Sequence, residues 1–87
     1  MNFEYDPAKS ASNLLKHGID FDQAQALWRD PWILEAPANT EDEPRFVSIG
    51  KIEGQHWVVV WTPRGEAMRI ISVRRALKEE IGYYEGN

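Results

Sequence analysis

The chain has 87 residues and no cysteine, and its 10 Lys+Arg against 14 Asp+Glu leave a formal net charge of −4. This length predicts a single domain over residues 1–87 with a small core. The absence of cysteine excludes a disulfide scaffold, a thiolate zinc site and a thiol nucleophile. The longest apolar run, residues 57–61, is too short to cross a membrane, and the N-terminus lacks a signal-peptide pattern, so we expect a cytoplasmic protein.

The charge is unevenly distributed along the chain. Residues 1–43 carry a local charge of −6, residues 44–78 carry +5, and the last nine residues add three acids. Net charge governs solubility and long-range steering but does not describe a local patch. The acidic total therefore does not exclude an RNA partner.

The first third of the chain has helical signals. Asp6 followed by Pro7 is a favourable helix start, because aspartate caps the free N–H groups and proline has none to lose at the first position. Gly18 is a favourable helix end. We predict a short strand at 3–5, a helix over 8–16 with Ala11, Leu14 and Leu15 facing inward, and a second helix over 21–29.

After Pro31 the apolar period changes from 3.6 to 2, which predicts strands at 32–36, 45–51, 57–62 and 67–73. A polar loop at 37–44 and tight turns at 53–55 and 63–66 separate them. Helix-forming residues follow Arg74. The order β-α-α-β-β-β-β-α predicts an α+β domain in which two N-terminal helices and one C-terminal helix lie on an antiparallel sheet of four or five strands.

The sequence contains no recognisable metal or cofactor motif. His17 and His56 are the only histidines, and neither has the spacing of a metal ligand set. The chain also lacks a glycine-rich phosphate loop and a serine nucleophile elbow. We therefore predict no metal and no cofactor.

Arginines dominate the basic segment, notably Arg45, Arg69 and Arg74. The guanidinium fork matches phosphate oxygens, and such groups also stabilise the charge that develops when an RNA 2′-hydroxyl attacks the adjacent phosphate. The alternative is that these arginines pair with acids of the protein itself. In a regular strand, Arg69 and Arg74 point to opposite sides because they are five positions apart, an odd number.

Three other residue types admit two interpretations each. The four tryptophans are suited to base stacking or to core packing. His17 suits proton transfer, or capping of a helix end. Tyr84 is either a hydroxyl donor to phosphate or a packing residue.

Two ordered blocks resemble a known family. Residues 5–9 and 13–21, which include Lys-His-Gly-Ile-Asp-Phe at 16–21, are similar to the N-terminal signature of the BrnT toxins of type II toxin–antitoxin systems. The second block, Arg-Ile-Ile-Ser-Val-Arg-Arg-Ala at 69–76, agrees with the same family. The likeness extends from Phe3 to Tyr84.

The resemblance implies a RelE-like α+β fold and a ribonuclease activity that stops translation. With no metal motif in the sequence, we predict a metal-independent endoribonuclease. It also implies a BrnA-like antitoxin with a ribbon-helix-helix domain, and promoter DNA bound only by the toxin–antitoxin complex. A homodimer of the free toxin remains open. The family's basic and aromatic positions correspond to Lys9, His17, Arg45, Arg64, Arg69, Arg74 and Tyr84.

Our leading hypothesis is that Arg45, Arg69 and Arg74 bind or stabilise phosphate. In the same hypothesis Lys9, His17 or Tyr84 supplies proton transfer or a further phosphate contact. Ile81 and Gly82 stand where the family commonly has basic residues. This departure keeps a second hypothesis open, a catalytically weak or inactive antitoxin-binding module that acts as a transcriptional corepressor. A third hypothesis is an interaction domain with no antitoxin.

Overall fold

A computed structural model describes residues 1–38 and 43–86. The predicted α+β class is confirmed, with three α-helices, one 3₁₀ helix and five strands in the described ranges. In chain order the elements are β1 (Asn2–Glu4), α1 (Pro7–His17), α2 (Phe21–Ala24), the 3₁₀ helix (Gln25–Arg29), β2 (Leu34–Ala38), β3 (Arg45–Ile52), β4 (Gln55–Arg64), β5 (Ala67–Arg75) and α3 (Lys78–Glu85).

Both predicted ends of α1 are confirmed. The Asp6 carboxylate accepts a hydrogen bond from the Ala8 N–H at 2.9 Å. Gly18 adopts the left-handed conformation with φ 79° and donates its N–H to the Leu14 carbonyl. A side chain is strained at that φ, which explains glycine at this position.

The predicted inner face of α1 is wrong. Leu15 is 90% exposed and Leu14 43% exposed, whereas Ser10 and Asn13 are buried. The Ser10 hydroxyl accepts from the Phe21 N–H at 2.9 Å, and Asn13 contacts backbone groups of Ile19 and β5. α1 lies against main-chain groups of Ile19, Phe21 and Val73. Polar side chains form hydrogen bonds with these groups, whereas leucine has no donor or acceptor.

The second predicted helix is divided into α2 and the 3₁₀ helix. Asp20 and Gln23 form a reciprocal cap at its start, with hydrogen bonds of 2.7 and 3.0 Å. The tighter 3₁₀ segment carries Leu27 into the core, where it packs directly on Gly50 of β3. A Cβ on Gly50 would lie 2.4 Å from the Leu27 Cδ2 atom, so only glycine permits this approach.

The strand order in the sheet is β1-β5-β4-β3-β2. Strands β2 to β5 form an antiparallel meander, but β1 pairs parallel with β5, from Asn2 beside Ala67 to Glu4 beside Arg69. The prediction of a wholly antiparallel sheet is therefore wrong for β1. After β1 the chain passes through the helices to the far edge and returns strand by strand, which brings β5 alongside β1 in the same direction.

The main core lies between one face of the sheet and the segment that contains α2 and the 3₁₀ helix. Trp57 and Trp61 are 7% and 8% exposed, and the Trp61 indole donates to the buried Ser48 hydroxyl at 2.9 Å. These two tryptophans are thus core residues, as the packing interpretation predicts, and they do not present a surface for base stacking. Trp32 is different, since it is 73% exposed.

The predicted loop at 37–44 contains residues 39–42, which lie outside the described residues. No helix in the described ranges is long and apolar enough to cross a membrane.

Candidate functional site

The sheet face opposite α1 and α2 carries the arginines. Arg69 pairs with Thr62 of β4, and Arg74 pairs with Val58 of the same strand. Residues directly opposite each other on paired strands point to the same side, and positions four apart on β4 share a side. Arg69 and Arg74 therefore lie on the same face of the sheet.

A β-bulge puts Arg69 and Arg74 on the same side of the sheet. The register of β5 against β4 shifts between the pairs Ser72–Val60 and Ile70–Trp61, so that Ile71 is an additional residue. One extra residue reverses the alternation of side chains beyond it. Regular pairing would put Arg69 and Arg74 on opposite sides, but the pairing is irregular here, and the two side chains leave the same side.

Arg45 joins the same face from β3. It precedes Phe46, which pairs with Trp61, so Arg45 lies beside Thr62. Strands are spaced about 4.8 Å apart, which puts the backbones of Arg45 and Arg69 about 10 Å apart on either side of β4. Arg74 lies four β4 positions away from Arg69, about 13 Å along the strand. Thr62 itself is buried, and its hydroxyl donates to the Pro44 carbonyl. We call the remaining residues of this face the arginine face: Arg45, Arg69, Ser72 and Arg74.

Each of the three arginines meets a carboxylate of the same chain. Arg69 Nη1 lies 3.4 Å from Glu4 Oε1, and Arg45 Nη2 lies 4.0 Å from Glu43 Oε1. Arg74 forms the strongest pair, with hydrogen bonds of 2.7 and 2.8 Å from Nη1 and Nη2 to the two Glu80 oxygens. The alternative that these arginines neutralise the protein's own acids is therefore realised in this structure.

The Arg74–Glu80 pair perturbs both groups. The hydrogen bond to Glu80 raises the pKa of Arg74, and the same bond lowers the pKa of the Glu80 carboxyl. Glu80 also accepts the Leu77 N–H at 2.7 Å, so it closes the first turn of α3 while it holds Arg74. Bidentate, charge-assisted pairs of this kind are the stronger ion pairs in proteins.

None of the α3 residues is fully buried, and polar contacts at both ends tie the helix to the rest of the protein. At its C-terminal end the Tyr84 hydroxyl donates to Asp30 Oδ2 at 2.6 Å. Glu85 Oε2 lies 2.7 Å from His56 Nε2 and 3.6 Å from Lys51 Nζ. Together with Arg74–Glu80, these contacts form what we call the α3 clasp.

Asp30 is the hub at the C-terminal end of this clasp. Its carboxylate also accepts the N–H groups of Trp32 and Lys51, each at 2.9 Å. Partial burial acts to raise the pKa of Asp30, but the hydrogen bonds from Tyr84 and the two N–H groups outweigh it, so the pKa is lowered. Burial and the neighbouring Asp30 raise the pKa of Tyr84 to about 12. The Tyr84 hydroxyl is thus engaged away from the arginine face.

Lys9 and His17 lie on α1, which flanks β5. Both are exposed, and both line a groove of about 280 Å³ between α1 and the bulge of β5. Ser72 of the arginine face lines the same groove. Arg64 is exposed at the end of β4, two residues beyond Thr62 and on its side of the sheet.

Three contributors to this region carried no sequence signal that marked them. In the sequence, Glu80 is one acid of a helix-forming segment, Asp30 directly precedes Pro31, and Ser72 is one polar residue within an apolar strand. The partner of Asp30 is 54 residues away in sequence. A local sequence pattern cannot predict a contact between residues so far apart in the chain. In the ranges that the structure describes, no three His, Asp or Glu side chains group as metal ligands would.

A sheet with α1, α2 and the 3₁₀ helix on one face, and a row of arginines beside α3 on the other, defines a small α+β protein whose basic face suits an anionic ligand. Residues 5–80 match the family model described as the ribonuclease toxin BrnT of type II toxin–antitoxin systems. The chain therefore belongs to the BrnT family, and the resemblance is confirmed. A toxin of a type II system implies an antitoxin partner. A search among curated proteins finds no match to this chain.

Proposed function

We propose that this protein is a metal-independent endoribonuclease that inhibits translation, with the arginine face as its phosphate-binding site. The observation that carries the proposal is that Arg69 and Arg74 lie on the same sheet face, with the exposed Ser72 between them. A RelE-like fold and a cytoplasmic location belong to the same proposal.

The chemistry needs no group beyond the RNA and the protein. The 2′-hydroxyl oxygen forms a bond to the adjacent phosphorus, and the bond from phosphorus to the 5′-oxygen of the next nucleotide breaks. The 2′-hydroxyl proton leaves to a base, and the 5′-oxygen gains a proton from an acid. Arginine N–H groups aimed at the phosphoryl oxygens stabilise the negative charge that develops on them.

The roles within this proposal follow from position. Arg69 and Arg74 bind phosphates of one RNA strand along this face, the phosphate at the cleaved bond among them, and Arg45 binds a phosphate across β4. His17 is our candidate for proton transfer, because histidine is the side chain that ordinarily exchanges protons near neutral pH. Lys9 makes a phosphate contact. Tyr84 is left out of the reaction, since its hydroxyl donates to Asp30.

The antitoxin in this proposal is a BrnA-like protein with a ribbon-helix-helix domain. It covers the toxin, and the complex represses the promoter of the shared operon. RNA and the antitoxin are thus the two partners of the toxin, and promoter DNA is reached only through the antitoxin.

The direct test is expression in cells that lack the antitoxin, combined with cleavage of a mixed-sequence RNA by purified protein in the presence of a metal chelator. We expect growth arrest and cleavage by the wild type. Arg69→Ala or Arg74→Ala should lower the cleavage rate by about 10²-fold or more, as removal of a transition-state donor does.

Arg29→Ala is the matched control, because Arg29 is exposed and lies at the end of the 3₁₀ helix, away from the arginine face. It should cleave like the wild type. A wild type that neither arrests growth nor cleaves RNA would overturn the enzyme proposal. Equal activity of the two arginine variants and the wild type would overturn the site assignment alone.

A second candidate function is a catalytically weak module that acts through its antitoxin as a corepressor. The pairing of all three arginines with carboxylates favours it, because RNA must displace those carboxylates before it binds. Under this alternative, the purified protein increases the affinity of the antitoxin for promoter DNA and leaves RNA intact.

A further inference from the structure

The groove between α1 and the bulge of β5 has the features of a second site for a polyanion. Lys9 and Lys16 lie seven residues apart on α1, which is two turns and about 10 Å, so their side chains leave the same face of the helix. Both are exposed and both line the groove. α1 contains no acidic residue between Pro7 and His17.

These lysines differ from the arginines in being unpaired. In residues 1–38 and 43–86, neither Lys9 nor Lys16 forms an ion pair, whereas Arg45, Arg69 and Arg74 all do. A cation without a protein partner binds an incoming phosphate with no carboxylate to displace. The protein as a whole, with a net charge of −4, repels a polyanion, whereas these two lysines attract it locally.

The floor of the groove is held rigidly. Asn13 is buried, its amide donates to the Ile19 carbonyl at 2.8 Å, and its Oδ1 accepts the Val73 N–H at 3.3 Å. β1 pairs only with residues 67–69 of β5, so it does not reach Val73. Asn13 therefore accepts the Val73 N–H in place of a neighbouring strand. The lysines therefore stand above a fixed surface.

The groove is continuous with the arginine face through Ser72. This residue lines the groove and also lies on the sheet face between Arg69 and Arg74. The bulge at Ile71, another groove residue, is what turns Ser72 to that side. A single strand on the arginine face thus has a path over the free edge of β5 onto α1.

We propose that this groove is an RNA-backbone site in which Lys9 and Lys16 bind phosphates next to the phosphate held on the arginine face. The inference rests on the proposed function and extends it by giving the path that the bound RNA takes from the arginine face to α1. Lysine contacts to phosphate are independent of base identity. The groove therefore adds affinity for longer RNA and adds no sequence preference.

The test uses fully 2′-O-methylated RNA, which lacks the attacking hydroxyl and is not consumed. Affinity is measured for a short and a long oligonucleotide, about 3 and 12 nucleotides, between about 50 and 200 mM salt. For the long RNA, Lys9→Ala/Lys16→Ala should reduce the slope of log K against log salt by about 1.4, since each single-strand phosphate contact contributes about 0.7. Over this fourfold salt range the wild type then loses about sevenfold more affinity than the variant.

The short RNA should bind the variant and the wild type alike, because it fills only the arginine face. Lys9→Arg/Lys16→Arg keeps both charges and should retain the full slope. The matched control is Arg29→Ala/Lys78→Ala, which removes the same charge from two exposed residues outside the groove, and it should also retain the full slope.

The outcomes separate the two proposals. If the wild type binds neither RNA, the proposed function fails. If the wild type binds the long RNA and Lys9→Ala/Lys16→Ala binds it with an unchanged slope, the groove inference alone fails. Equal weakening for both lengths would also overturn it, because the lysines would then act at the arginine face.

Discussion

The Glu80 carboxylate holds the Arg74 guanidinium with two hydrogen bonds, of 2.7 and 2.8 Å, from the first turn of α3. One face of the sheet is thereby tied to the C-terminal helix. A phosphate that binds Arg74 competes directly with this carboxylate for the same N–H donors. The stability of α3 and the availability of Arg74 are consequently linked.

Glu80→Gln tests that linkage. The substitution removes the negative charge but keeps an oxygen that can accept the Leu77 N–H. We expect the free energy of unfolding to fall by about 1 kcal/mol, the range for a partly exposed ion pair with good geometry. Affinity for 2′-O-methylated RNA should rise several-fold, because Arg74 is released. Urea unfolding and binding titrations measure the two effects.

Glu79→Gln is the matched control for that variant. Glu79 is exposed in the same turn of α3, and the substitution changes the net charge by the same amount. It should leave both the free energy of unfolding and the RNA affinity near their wild-type values. If both variants strengthen RNA binding equally, net charge is the cause and the specific competition at Arg74 is refuted.

The α3 clasp predicts sensitivity to acid. Asp30, Glu80 and Glu85 all have lowered pKa values in the folded protein, from ordinary values of 3.8 for the aspartate and 4.5 for the glutamates. Because these pKa values are lowered, the carboxylates stabilise the folded state at any pH above their ordinary pKa values. This stabilisation disappears as the pH falls through their pKa values in the folded protein.

We therefore expect the free energy of unfolding to be steady above about pH 5 and to fall as the pH drops below about 4.5. Glu80→Gln should show a shallower fall, because one of the three linked protonations is gone. Urea unfolding at a series of pH values gives both curves. Parallel curves would mean that Glu80 is not a linked group.

Tyr84 predicts a change at the alkaline end with the opposite sign. Its pKa is raised from 10.0 to about 12, so the neutral hydroxyl stabilises the folded protein fully below pH 10.0, and this contribution is lost as pH rises towards 12. Tyr84→Phe removes the hydrogen bond to Asp30, and we expect it to cost about 1 to 2 kcal/mol near neutral pH. The gap between the two proteins should narrow above pH 10.0, as followed by urea unfolding. A constant gap would contradict the role given to the hydroxyl.

Alanine substitutions at two glycines should change the stability of the protein in opposite directions. A Cβ at Gly50 would lie 2.4 Å from Leu27 Cδ2, and because Leu27 is fully buried, Gly50→Ala should destabilise by about 1 to 3 kcal/mol. Gly82 lies within α3 and a Cβ there meets nothing within 4 Å. Gly82→Ala should therefore stabilise by about 0.5 to 1 kcal/mol, as glycine-to-alanine changes do in helices. Thermal and urea unfolding report both signs.

Local pattern was sufficient for much of the fold. The Asp6 cap, the Gly18 helix end and the period-two strands were readable because each depends on residues within one turn or one strand. The Leu14–Leu15 pair was misjudged for the opposite reason. The surface that α1 covers belongs to elements elsewhere in the chain, and that surface presents backbone groups that Ser10 and Asn13 satisfy.

The sequence by itself determined the family, the α+β class and the arginine-rich character of the chain's second half, because these follow from ordered motifs and local periodicity. Only the tertiary structure decided that Arg69 and Arg74 share a face, since the bulge at Ile71 depends on how β5 pairs with β4. It also decided which acid meets which arginine. Those contacts join residues such as Glu4 and Arg69, 65 positions apart, and no local signal encodes a distance of that kind.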